Sequence, residues 1–113
     1  MIKITRAISI RQPYVELILR GEKRREYRGR PTHFRGRVYL YASLTPGLAS
    51  YWKKIGKKPG DLPTYKIVGT VEIVDCRDAG DGYYAYILKN PKRLRTHLIP
   101  RNQPQPCFWL PVF

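Results

Sequence analysis

Three side chains in the stretch GEKRREYR, residues 21 to 28, are of types that do chemistry on anions: Lys23, Glu26 and Arg28. A lysine ammonium is a compact point charge suited to a phosphate or a developing oxyanion. An arginine guanidinium is a planar fork that holds a carboxylate or phosphate through two parallel hydrogen bonds. A glutamate between them accepts hydrogen bonds from the exocyclic amine of a base, or holds the arginine in place. On a strand, Glu26 and Arg28 share a face because the side-chain period is two. Lys23 falls on the other face unless the chain bends just behind Gly21. The competing reading is that Glu26 pairs with Arg28 or a neighbouring basic residue to offset local repulsion, while Lys23 is simply solvated. Arg24 and Arg25 interrupt the set and are expected to be exposed, where phosphate contact is their natural use.

Other candidates surround this set. Arg11, Gln12 and Tyr14 lie just upstream: Gln12 has donors for a base edge, and Tyr14 has a ring for stacking or for core packing. Backbone amides at the helix start near Pro13 favour an anion. Glu72 sits mid-strand between apolar neighbours, where an unpaired charge is costly. It either pairs with a base such as Lys23 or faces solvent. If the chain is an enzyme, Lys23 with Glu26 or Glu72 is the catalytic set. Ser43 is a hydroxyl at a strand end, a candidate contact or merely a strand-end residue. Tyr84, flanked by Tyr83 and Tyr86, offers a ring on which a base stacks, as barrel-core packing also would. His33 and His97 lie in loop-like segments without a motif partner. Cys76 and Cys107 are far apart and lack metal-site spacing, so two reduced thiols are expected, with no metal and no cofactor.

The charge balance indicates the partner. Twenty-two Lys and Arg face eight Asp and Glu, a net of +14 over 113 residues. Such a field attracts polyanions and speeds encounter with them. It is uneven: residues 1 to 37 hold eleven Lys and Arg against Glu16, Glu22 and Glu26. Further basic clusters are Lys53, Lys54, Lys57 and Lys58, then Lys89, Lys92, Arg93 and Arg95. RNA or a nucleotide is the expected partner, and a protein partner is the alternative. The N-terminus lacks the apolar core of a signal peptide and no apolar run approaches membrane-spanning length, so a cytoplasmic protein with no membrane association is expected.

The elements that must position these residues follow from periodicity. Met1 to Ile10 alternates Ile2, Ile4, Ile8 and Ile10 with polar residues, broken around Arg6-Ala7, and predicts a strand. Residues 13 to 20 predict a short helix: Pro13 suits its first turn, and Gly21 suits the positive-φ position behind its end. Residues 23 to 28 predict a polar edge strand, 29 to 36 a loop, and 37 to 43 a strand with Val38, Leu40 and Ala42 on one face. Residues 46 to 55 predict a helix packing Leu48, Trp52 and Ile55. Residues 65 to 76 predict a strand covered on both faces, with Ile67, Gly69, Val71 and Ile73 on one of them. Residues 78 to 82 predict a turn, 83 to 89 a strand, 90 to 106 irregular chain, and CFWLPVF a closing strand. The sum is one domain over 1–113, mixed α+β, with about six strands and two short helices in the first half: a small β-barrel.

The order of these signals resembles the ASCH domain family of the PUA-like superfamily. AISIRQPYVELILRGEKRREYR is similar to the family's opening strand, its S-x-R-Q-P-Y helix start and its signature G-x-K-x-x-E-x-R, here Gly21, Lys23, Glu26 and Arg28. RGRVYLYAS resembles the next segment, with Tyr41 where many members have His. IVGTVEIVD, NPKRL and the near-terminal FWLP resemble its later strands. The resemblance implies a PUA-like barrel and an RNA-related role in a cleft lined by the signature. Family members have been assigned to RNA binding, to transcription coactivation and, in small branches, to hydrolysis of RNA or acylated cytidine nucleosides. A Lys23–Glu72 pair would resemble the lysine and glutamate of the acylcytidine-hydrolysing branch. That branch carries its nucleophilic threonine where this chain has Glu26, which counts against transfer of the activity. The expectation is therefore RNA binding by Arg11, Gln12, Tyr14, Lys23, Arg24, Arg25, Glu26, Arg28, Ser43 and Tyr84, with a hydrolase and a coactivator-type interaction module as alternatives.

Overall fold

The computed structural model describes residues 3–113, so Ile2 of the expected first strand lies outside the described residues. The elements are β1 (Ala7–Arg11), α1 (Tyr14–Leu19), β2 (Arg25–Arg28), β3 (Gly36–Ser43), α2 (Ala49–Lys54), β4 (Lys66–Gly80), β5 (Tyr83–Leu98) and β6 (Phe108–Trp109). They form one six-stranded mixed sheet in the order β2-β5-β4-β3-β1-β6. Only β1 and β3 are parallel among the pairs in this sheet. The mixed α+β architecture matches the expectation from the sequence.

The backbone ladder does not close into a barrel: β2 and β6 are its two edges. Side chains bridge the gap instead. Arg28 on β2 donates from Nη2 to the Ser9 carbonyl on β1 at 2.5 Å. Tyr86 on β5 stacks on Phe108 on β6, with ring centroids 5.9 Å apart and planes 4° from parallel. The sheet therefore curls until its ends meet through side chains.

Alternation in β3 sends Val38, Leu40 and Ala42 into the main core beneath α1, with Ile8, Ile10, Val15, Ile18, Val71, Ile73 and Leu88. Tyr41 points the other way and joins Ala7, Ile67 and Trp109 in a smaller cluster on the outer face. Ile67 and Val71 were expected on one face and lie on opposite ones. The β3–β4 register shifts where Tyr41 pairs Ile67 and Leu40 pairs Gly69, which leaves Val68 as an extra residue. One inserted residue reverses the facing of everything beyond it.

Two breaks expected from the sequence turn out to be strand. β4 runs on to Gly80 and β5 to Leu98. Their turn is only Asp81-Gly82, both at positive φ (55° and 79°), as a tight I′-type hairpin turn requires. The Asn90-Pro91 dipeptide does not end β5. Thr70 pairs Lys92 and Glu72 pairs Lys89, so Asn90 and Pro91 together oppose Val71 as a bulge. Asn90 takes a left-handed φ of 53°, which asparagine tolerates, and Pro91 has no N–H to leave unpaired. At the other extreme, CFWLPVF contributes only two paired residues. Cys107 stands at a φ of 62° before them, and Pro111 follows shortly after.

α1 ends as expected. Gly21 has a φ of 78°. Its N–H donates to the Ile18 carbonyl and that of Glu22 to the Leu17 carbonyl, the paired bonds of a Schellman end. In α2, Trp52 is buried as expected, whereas Leu48 is exposed. Among the described residues, no helix is long and apolar enough to cross a membrane.

Candidate nucleic-acid interface

The bend behind α1 is what brings the signature together. The Leu17 carbonyl accepts from the N–H groups of both Glu22 and Lys23, which turns the chain sharply before β2 begins. Glu26 lies opposite the buried Tyr86 across the β2–β5 ladder, so Glu26 and Arg28 face the inside of the curled sheet. Lys23 Nζ stands 3.4 Å from Glu26 Oε1, and Arg28 Nε 3.0 Å from Glu26 Oε2. The pairing of Glu26 with Arg28 and the convergence of Lys23 on the same carboxylate thus coexist.

The three members are not equivalent. Glu26 is buried with one cation on each oxygen. Arg28 is held at Nε by Glu26 and at Nη2 by the Ser9 carbonyl. Lys23 retains donors: its ammonium has three, and Glu26 engages one side of it. It also stands 5.6 Å from the centroids of both the Tyr14 and Tyr27 rings. This is cation–π range, and it keeps the ammonium at an aromatic surface.

Lys23, Arg24 and Arg25 form the divide between two clefts. The first, about 500 Å³, has Ile18, Val71, Ile87 and Leu88 along its walls and Lys89, Asn90 and Pro91 at its rim. The second, about 550 Å³, is walled by Tyr14, Tyr27, Tyr51, Leu17 and Leu48, with Glu22 and Lys54 at its edge. Tyr14 and Tyr51 meet edge to face at 5.3 Å. The Tyr14 hydroxyl accepts from the Leu48 N–H, which ties α1 to the start of α2. Gly47 permits this: a Cβ there would lie 2.4 Å from the Tyr14 ring.

The other expected contact residues have different surroundings. Gln12 is buried and its amide is committed at both ends. Oε1 accepts from the Glu16 N–H and Nε2 donates to the Pro63 carbonyl. It caps α1 and anchors a loop, which leaves it no free edge for a base. Glu72 forms no ion pair with Lys23. It lies on the outer face, paired with Arg37 at 3.2 Å and accepting from Asn90 Nδ2 at 3.1 Å. The register of β1 on β3 sets Arg11 opposite Ser43, away from both clefts. Tyr84 is half-buried against the main core.

Residues outside the expected contact set include Tyr27, Tyr51, Lys54, Lys89 and Asn90, which line the clefts, and Glu16. The spacing of Tyr51 and Lys54 on one helix was the available signal; nothing local shows that α2 docks beside α1. Glu16 on α1 receives Arg93 of β5 through both guanidinium nitrogens, at 2.8 and 3.1 Å, and Arg20 Nε at 2.8 Å. Burial pushes the Glu16 carboxyl up, but the hydrogen bonds and charges of Arg93 and Arg20 outweigh it and hold the group below 4.5. Burial, reinforced by Cys107, pushes the Tyr86 phenol well above its ordinary value. Its hydroxyl donates to the Arg30 carbonyl and stays protonated there.

The molecule is thus a small mixed α+β fold whose sheet curls around a core, with a lysine–glutamate–arginine set and two clefts that share Lys23, Arg24 and Arg25. The chain belongs to the ASCH domain family, whose model matches residues 8–93. That span contains the whole signature and Glu72. The chain is also 28% identical over 122 aligned positions to Activating signal cointegrator 1 of Homo sapiens, covering 87% of this chain and 21% of that protein. The Mus musculus protein of the same name matches over the same shares. The chain thus spans about a fifth of the length of these relatives.

Proposed function

We propose that this ASCH domain binds single-stranded RNA on the basic face around Lys23, with Lys23, Arg24 and Arg25 contacting phosphate. The observation that carries this reading is that all three cations line the divide between two clefts, one of them walled by tyrosines. Phosphate contacts supply affinity, and aromatic faces supply sequence-tolerant stacking. Glu26 neutralises one cation and Arg28 fixes the curl of the sheet, so neither needs to touch the ligand. The hydrolytic alternative loses its Lys23–Glu72 pair, because Glu72 is taken by Arg37 and Asn90.

The test is fluorescence anisotropy with a labelled single-stranded RNA. Binding by the parent should fall steeply as salt rises, and an Arg24→Ala/Arg25→Ala double variant should bind at least about tenfold more weakly at low salt, with a shallower salt dependence. Binding that ignores both the substitutions and salt would sink the reading.

A second reading rests on a different surface. Ile99, Leu110, Val112 and Phe113 are all exposed. The Arg101 N–H donates to the Val112 carbonyl and Asn102 Nδ2 to the Leu110 carbonyl, so the two segments that carry these residues lie side by side. Contiguous exposed apolar surface marks protein contacts, and the relatives are named as a cointegrator. A photo-crosslinking amino acid at position 110 should capture protein, and one at position 25 should capture RNA. Absence of protein adducts at 110 ends this second reading.

A further inference from the structure

Resting on the RNA-binding reading above, we infer that the domain seats two successive nucleotides, one base in the tyrosine cleft and the adjoining nucleotide in its neighbour, with the joining phosphodiester over Arg24 and Arg25.

The first ground is adjacency. Lys23, Arg24 and Arg25 line both clefts, so the two share a wall three residues wide. Both volumes, about 500 and 550 Å³, lie in the range of small-molecule sites, which runs from roughly 300 to 1,000 Å³. A mononucleotide fills one and leaves the other open.

The second ground is that the clefts differ chemically in the way two nucleotide positions on one strand would need. The tyrosine cleft presents rings from three elements: Tyr14 of α1, Tyr27 of β2 and Tyr51 of α2. Tyr27 is 49% exposed and Tyr51 41%, so large aromatic surface faces water there. A base stacked on it removes that surface from water and uses a π-face common to every base. The neighbouring cleft has no aromatic wall. Its apolar lining comes from Ile18, Val71, Ile87 and Leu88, with Arg25 and Lys89 among its charged residues. That combination takes a sugar and base edge beside a phosphate, with no stacking partner.

The third ground is charge. The clefts share three cations, of which Lys23 pairs with Glu26, while Arg24 and Arg25 have no carboxylate partner among the described residues. Arg24 and Arg25 are both exposed, and Arg24 is braced only by its Nε donating to the Gly21 carbonyl at 3.3 Å. A guanidinium so placed has its terminal nitrogens free for a phosphate oxygen. The phosphodiester that joins two nucleotides is the anion that lies over such a divide.

Calorimetric titration of the whole chain with adenosine monophosphate, the dinucleotide ApA and the hexanucleotide tests this. ApA should bind at least about tenfold tighter than the mononucleotide, and the hexanucleotide should add little beyond its larger number of registers. Tyr51→Ala should weaken ApA about tenfold, and Lys89→Ala should weaken ApA without changing the mononucleotide. Lys89 is exposed, so its variant should melt with the parent, whereas Tyr51→Ala also loses the edge-to-face contact with Tyr14 and should melt slightly earlier while staying folded at the titration temperature. Affinity that climbs steadily with length and shows no step at the dinucleotide overturns the inference, as does ApA binding indifferent to Tyr51→Ala. Those outcomes leave RNA binding intact. If no oligonucleotide binds at any length, the RNA-binding reading falls and takes this inference with it.

Discussion

At the scale of single residues, the signature divides into a lysine with donors to spare and two residues whose polar groups are engaged within the fold. Arg28 spends its guanidinium on Glu26 and on the Ser9 carbonyl, 19 residues away, and so links an edge strand to the far side of the sheet. Removing it leaves the buried Glu26 with one cation and the Ser9 carbonyl without this donor. Leaving such groups unsatisfied costs about 1–3 kcal/mol each. Lys23 pairs with Glu26 at 3.4 Å from a partly exposed position, and pairs of that kind are worth at most about 1 kcal/mol. Arg28→Ala should therefore lower unfolding stability by about 2–3 kcal/mol in urea, whereas Lys23→Ala should cost less than about 1 kcal/mol. RNA affinity should show the opposite order once both proteins are measured folded. Equal loss of stability in the two variants would mean that Lys23 is a structural cation as well. Both roles lie beyond what spacing conveys. GEKRREYR contains the right residue types, but whether Arg28 reaches a ligand or a carbonyl on β1 depends on how far the sheet curls.

Among the elements, the strongest local signals held and the non-local ones did not. Period-two alternation placed the faces of β3, and Gly21 marked the end of α1, because each depends on neighbours a few residues away. The bulges at Val68 and at Asn90-Pro91 depend on a partner strand, so the sequence reading gave Ile67 the wrong face and ended β5 too early. These irregularities matter, because the second bulge sets Asn90 and Pro91 at the rim of a cleft. Gly69 sits between them in the sheet with α1 pressed on it. A Cβ there would lie 2.5 Å from Leu19 Cδ2 and 2.7 Å from the Lys92 carbonyl oxygen. The leucine can rotate but the carbonyl belongs to the paired strand, so Gly69→Ala should cost about 1–3 kcal/mol, read from the denaturation midpoint. The α1–β5 contact has its own pH signature. The Glu16 carboxyl is held below its ordinary 4.5 in the folded chain. Its contribution is therefore complete above about pH 4.5 and is lost as pH falls through the lower folded value. Glu16→Gln should lower stability near neutrality and flatten the acid limb of the stability–pH curve. An unchanged acid limb would show that Arg93 and Arg20 do not set the charge state of this glutamate.

For the molecule as a whole, the question is which part of a net charge of +14 binds and which part only attracts. Every basic cluster contributes to the long-range field, but only cations in contact with phosphate release counterions in proportion to binding. Lys23, Arg24, Arg25 and Lys89 line the first of the clefts proposed for RNA, and Lys54 stands at the edge of the second. Lys53, Lys57 and Lys58 border a separate surface hollow beside Trp52. About four contacts on a single strand give a slope of roughly −2.8 for log affinity against log salt, so raising salt from about 50 mM to about 200 mM should weaken binding roughly 50-fold. Arg24→Ala/Arg25→Ala should bring that slope to about −1.4. A Lys53→Gln/Lys57→Gln/Lys58→Gln variant should slow association at low salt while leaving the slope near its parent value, because those charges steer without touching. Stopped-flow association rates and equilibrium titrations over the same salt series separate the two effects. A slope reduced as much by the lysine variant as by the arginine variant would place the RNA over the hollow beside Trp52 and not in the tyrosine cleft.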